Sequence, residues 1–212
     1  AFVRQRYFVV ADQLTSAAET EHEYRFRLHA FAGRDLDGTV ELGEHGPHIR
    51  RENGAVSVYT RSTLGPCSVE EPPFVAFESP HVHKLEKDEA HHTVTDSVIT
   101  GRAPDLLSVL APYKIGVRDG LDAPLVVSPI ETQQGAAWMI EGEGIKDVAW
   151  LRAEGAPQVL QLPTGQTIRS DGVFSLISLD NSLGLLVRGM ELALDDVVVL
   201  SASQGEVVLS TE

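Results

Sequence analysis

The chain is poor in several residue types, and each shortage excludes something. A single cysteine, Cys67, stands among 212 residues, so no disulfide framework can form within the chain. Histidine stops early: all eight lie at or before position 92, which leaves the second half with little catalytic or metal-binding chemistry. Lysine and arginine number 17 against 31 acidic residues, a formal charge of -14. That balance argues against a nucleic-acid backbone or an anionic membrane as partner. No apolar run approaches the roughly 18 to 20 residues that span a bilayer as a helix. No Gly-x-Ser-x-Gly elbow marks a serine hydrolase, and Gly142-Glu143-Gly144 lacks the lysine and the strand–loop–helix setting of a phosphate-binding loop. Adjacent acids such as Glu70-Glu71 and Asp195-Asp196 point to opposite faces of a strand and cannot act together on one atom.

Long 3.6-residue apolar stripes are missing too, and glycine and proline recur at short intervals. What remains is a succession of short strand-like runs. Tyr7 to Ala11 (YFVVA) is nearly all apolar and ends at Asp12, as a central strand does. The next run alternates, with Tyr24, Phe26, Leu28 and Ala30 on one face and Glu23, Arg25, Arg27, His29 and Phe31 on the other. The polar link Thr15–Thr20 is short enough to make these two runs antiparallel neighbours. Glu52-Asn53-Gly54 reads as a turn that lays HIRR against AVSVYTR. Phe74–Glu78 and His91–Thr100 continue the strand pattern, while Arg102–Pro112 fits either a short helix or a strand. From Leu125 onward come short strands: Leu125–Ile130, Ala136–Glu141, Asp147–Ala153, Gln158–Leu162, Val173–Leu179, Leu185–Met190, Val197–Ala202 and Glu206–Ser210. The expected fold is all-β, an antiparallel β-sandwich of many short strands with little helix, forming one domain over residues 1–212. The start at Ala1, almost within a strand, is expected of the C-terminal part of a longer protein.

The segment Arg4–Gly33, RQRYFVVADQLTSAAETEHEYRFRLHAFAG, resembles the C-terminal β-sandwich of heparinase II/III-like polysaccharide lyases, where a strand ending in Asp precedes a strand containing Leu-His. The later runs LSVLAP and LALDDVVVLSAS are compatible with that sandwich. The family joins an α/α toroid to the sandwich and cleaves uronic-acid polysaccharides by β-elimination, with a tyrosine and a histidine at the cleft between domains as acid and base. Some members hold a structural zinc through an Asp and histidines. The resemblance implies Asp12 and His29 as zinc ligands here, half of the three or four protein ligands that zinc takes. It implies no catalytic residue in the chain itself, an N-terminal helical toroid as its partner, an acidic polysaccharide as its ligand, and a secreted or periplasmic setting. Arg25, Arg27, Arg50 and Arg51, among the arginines crowded into the first third, are candidates to pair with uronate or sulfate.

Other readings compete. A non-catalytic carbohydrate-binding or interaction module needs an exposed aromatic platform, for which Tyr7, Tyr24, Tyr59, Trp138 and Trp150 are available when they are not core. His81-Val82-His83 with Glu86, followed by His91 and His92, would place two histidines on one face of a strand in the manner of a cupin metal site. Pro80, Lys84, Lys87 and Asp88 instead suit a charged loop there. A turn-bound carboxylate at Asp12 and a satisfied sheet histidine at His29 are the structural alternatives to a metal role.

Overall fold

The computed structural model of the chain describes residues 1–16, 20–30, 32, 37–70, 74–77, 91–115, 124–133, 135–152, 157–180, 182–202 and 207–211. Among the described residues every regular element is a strand, and every pairing is antiparallel. The chain is an all-β sandwich, as its alternating runs and frequent turn residues require.

Four sheets are present among the described residues. The first follows the order β1 (Phe2–Val3), β2 (Tyr7–Asp12), β11 (Leu106–Lys114), β6 (Gly54–Ser62), β5 (Gly46–Arg51) and β4 (Thr39–Gly43), with β7 (Gly65–Pro66) added to β6. The second sets β3 (His22–Ala30) against β10 (His91–Gly101), whose other edge takes β8 (Ser68–Val69) and β9 (Phe74–Phe77). The third runs β12 (Val126–Ile130), β13 (Ala136–Gly142), β14 (Ile145–Leu151), β17 (Phe174–Ser178), β18 (Leu183–Val187) and β21 (Val207–Thr211). The fourth runs β15 (Gln158–Gln161), β16 (Thr167–Ser170), β19 (Glu191–Leu194) and β20 (Val197–Ser201).

The third sheet lies in the middle. Neither β13 (AAWMI at its start) nor β14 (VAWL at its end) has a polar face, which is what burial on both sides writes into a strand. Trp138, Ile140, Ala149 and Leu151 pack with Tyr7, Val9, Leu107 and Val109 of the seven-stranded sheet. Their strand neighbours Ala137, Met139, Val148 and Trp150 point the other way, onto Leu160, Ile168, Leu192 and Leu194 of the fourth sheet. Burying each large side chain in these two clusters stabilises the fold by about 1.5–3 kcal/mol. The first cluster takes residues from Val3 to Leu176, so it joins the early and late halves of the chain.

Polar groups cross the first interface as well. The Trp138 ring N–H donates to the Leu107 carbonyl at 3.1 Å. The Tyr7 hydroxyl donates to Asp147 Oδ2 at 2.7 Å, and Arg4 Nε lies 3.3 Å from the same oxygen. Arg4 also donates to the Ser178 and Ser182 hydroxyls at 2.8 and 2.5 Å. Tyr7 and Asp147 are fully buried. Burial, and then the facing carboxylate, push the Tyr7 hydroxyl well above the usual tyrosine range, so it stays a donor.

Two expectations change. The opening runs are not neighbours: β2 pairs with β1 and β11, whereas β3 pairs with β10 in another sheet. The apolar β2 belongs against the double-sided core, while the charged alternation of β3 is matched by Asp96 on β10. A link of this length serves either a hairpin or a step between sheets, so its length does not decide. Of the ambiguous Arg102–Pro112 stretch, Leu106 onward is strand β11, in the middle of the first sheet. Its Pro112 lies past the last β2 pair, Leu110↔Phe8, where β11 has a neighbour on one side only. The turn before Gly54 is as expected, with Arg51 opposite Gly54.

Replacing Tyr7 with Phe removes one donor from a buried carboxylate and keeps the ring. The expected loss is about 1–3 kcal/mol of unfolding free energy in a urea titration with an unchanged slope. An unchanged midpoint would show that Arg4 alone satisfies Asp147.

Candidate functional site

The face of the first sheet turned away from the central sheet is buried around Val58, Thr60 and Ser108 but opens toward Phe8 and Lys114, where it carries a cleft of about 670 Å³. Registers and alternation fix what lines it. Ile49, Val56 and Pro112 are directly opposite one another across three strands, and the next row toward the hairpin end is Arg51, Gly54 and Lys114. Phe8 lies on the same face through its partner Leu110, and Phe2 pairs with Phe8. The two phenylalanine rings stack with centroids 4.4 Å apart and planes 17° from parallel. Both are unusually open for large apolar rings, at 56% and 42% exposure. Arg6 joins Arg51 and Lys114 among the lining residues, against the carboxylates Asp37 and Glu52. The cleft is therefore a local exception to the acidic character of the chain.

The four arginines singled out in the sequence go to three places. Arg51 lines the cleft, and Arg50, its neighbour in β5, alternates to the opposite face and is exposed. Arg25 and Arg27 lie on β3 and clamp Asp96, a carboxylate 1% exposed on β10. Arg27 binds it through both ends of its fork, Nε to Oδ1 and a terminal nitrogen to Oδ2, each at 2.8 Å. Arg25 donates to Asp96 Oδ2 at 2.7 Å and bridges to Glu70 and Glu23 at 2.5 and 2.7 Å. The bidentate chemistry expected for a uronate is thus made, for these two residues, with carboxylates of the chain itself. The Arg27 and then the Arg25 hydrogen bonds outweigh burial and hold the Asp96 carboxyl below the usual aspartate range.

Asp12 ends β2, half-buried, in the first sheet, and His29 is exposed on β3 in the second. Among the described residues no group of three or more His, Cys, Asp and Glu is placed to hold a metal ion. His81, His83 and Glu86 lie outside the described residues, as do the side chains of His91 and His92. Cys67 is buried, and burial pushes its thiol up to about 11, leaving little thiolate at neutral pH. Of the aromatic candidates, Tyr7, Trp138 and Trp150 are core, while Tyr24 and Tyr59 are half-buried.

Phe2, Phe8 and Lys114 were not legible as site residues. Phe8 sits in an apolar run that reads as buried on both faces, and β1 is a two-residue strand too short for periodicity to show. No protein-family model, curated protein or solved structure matches the chain.

The depressed Asp96 carboxyl has a pH consequence. Its stabilisation is complete above the unfolded aspartate value near 4 and is lost as pH falls through the lower folded value. Asp96→Asn should lower stability at neutral pH and flatten the acid limb of a plot of unfolding free energy against pH. A variant as acid-sensitive as the wild type would show that another group sets that limb.

Proposed function

We propose that the chain is a non-catalytic β-sandwich module that binds acidic polysaccharide and serves as one wall of the substrate cleft in a heparinase II/III-like lyase. The observation that carries the reading is the exposed Phe2–Phe8 stack sharing one cleft with Arg6, Arg51 and Lys114. Stacked rings offer an apolar face to the C–H face of a pyranose, and the cations suit the carboxylate or sulfate on the same sugar. The formal charge of -14 does not oppose this at working salt. Charges beyond a Debye length of about 8 Å are screened, and those lining the cleft decide.

The β-elimination itself, removal of the proton alpha to a uronate carboxylate, falls to the tyrosine and histidine of the helical domain that the resemblance implies. The sandwich then contributes affinity and orientation. Such a polysaccharide is met outside the cytoplasm, which places the full-length protein in a secreted or periplasmic setting. A carbohydrate-binding module acting on its own would use the same cleft and differ in lacking that helical partner.

Titration calorimetry of the chain with uronate-containing oligosaccharides tests the cleft. Binding is expected without growth of the ultraviolet absorbance of an unsaturated uronate product. Phe8→Ala and Lys114→Glu are each expected to weaken binding about tenfold, the scale of one well-placed contact. Absence of binding, or affinity indifferent to both substitutions, would sink the assignment.

A further inference from the structure

A second cavity, of about 500 Å³, lies on the far side of the central sheet, between the segment after β12 and the edge strand β15. Its lining includes Trp150, an indole 2% exposed whose ring N–H is buried and has no hydrogen-bond partner among the described residues. A buried donor left without an acceptor is costly, and Trp150 Nε1 is one of five such buried side-chain polar atoms among the described residues. Trp138, the other tryptophan, is also fully buried but donates to the Leu107 carbonyl at 3.1 Å.

The ring is held firmly. Trp150 packs in the second apolar cluster, and the Arg152 guanidinium lies 5.8 Å from its ring centre. Arg152 is in turn fixed by donating to the Ser170 and Gly172 carbonyls at 2.7 and 2.9 Å. Gly135 packs close beside the N–H, at a φ of +119° where a Cβ would stand 2.5 Å from the Leu151 carbonyl and 3.2 Å from Trp150 Nε1.

The other groups around the cavity are suited to hydroxyls. Gln133, Gln158 and Gln161 each carry an amide that both donates and accepts, and Thr132, whose hydroxyl donates to the Gly135 carbonyl at 2.7 Å, keeps an acceptor oxygen. β15 is the edge of its sheet, so one side of its backbone pairs with no strand and offers further donors and acceptors. Among the described residues, Glu131 is the one ionised group of the lining, and it is bridged to Arg61 at 3.0 Å. A site with a buried donor, several amides and no lining cation among the described residues disfavours an anion and favours a neutral polyhydroxylated ligand.

We infer that this cavity is a second, chemically distinct saccharide site that binds a neutral sugar unit, with a sugar oxygen accepting from the Trp150 N–H and flanking hydroxyls paired by Gln133 and Gln158. It does not depend on the acidic-sugar cleft, which lies on the outward face of a different sheet.

The two tryptophans make the test direct, because a ¹⁵N-labelled chain gives one indole N–H signal for Trp138 and one for Trp150. The chain is titrated with neutral tetrasaccharides of glucose, mannose and xylose. At least one is expected to move the Trp150 signal saturably and leave the Trp138 signal in place. Gln133→Ala and Gln158→Ala are expected to raise the apparent Kd at least fivefold, while Phe8→Ala leaves it unchanged. The inference is overturned if the Trp150 signal stays still with all three sugars to tens of millimolar, if neither glutamine variant changes the Kd, or if uronate oligosaccharides move the signal as strongly.

Discussion

A sheet without a polar face has to be covered twice, and that requirement sets the architecture of the chain. β13 and β14 bury Trp138 on one side and Trp150 on the other. The seven-stranded sheet covers the first side and the β15-β16-β19-β20 sheet the second, and the order of layers leaves little choice about which surfaces remain for binding. The outward face of the seven-stranded sheet is where the phenylalanine stack emerges. The seam between the central sheet and β15 is where the second cavity forms.

Charge is distributed on the same plan. Across the first interface the chain places one buried carboxylate, Asp147, and surrounds it with Tyr7 and Arg4. On the β3–β10 sheet another buried carboxylate, Asp96, takes the fork of Arg27 and one nitrogen of Arg25. In both places arginine answers a desolvated acid of the chain, so arginine count is a poor guide to ligand-facing charge in this molecule. The cations of the cleft come from different elements, the turn before β2, the end of β5 and the end of β11. Sequence proximity does not reveal that they meet.

Much of the strand inventory was legible, because alternation such as EYRFRLHA and turn residues such as Glu52-Asn53-Gly54 follow from local backbone chemistry. Partnership was not. Whether β2 lies beside β3 or beside β11 depends on which apolar faces find each other across the fold, and the linking residues are compatible with both. β16 and β19 went unread, although the equally short β9 and β15 lie within runs that read as strands. The site was the least legible part. Arg25 and Arg27 carry the pattern of ligand-binding residues, and it took the position of Asp96 to show where they are engaged. Phe8 is indistinguishable from Val9 by hydrophobicity, yet one is 42% exposed and the other 2%.

The two tryptophans, back to back on neighbouring strands, also bear on how the molecule comes apart. The two apolar clusters share a wall, and that wall is held by one set of ladder hydrogen bonds between β13, β14 and β17. Parting those strands opens both clusters at once, so neither can melt through its central wall while the other survives. Two cores built on one sheet are thereby thermodynamically a single unit, and a disturbance at the outward cleft and one at the β15 seam draw on the same reserve of cooperativity.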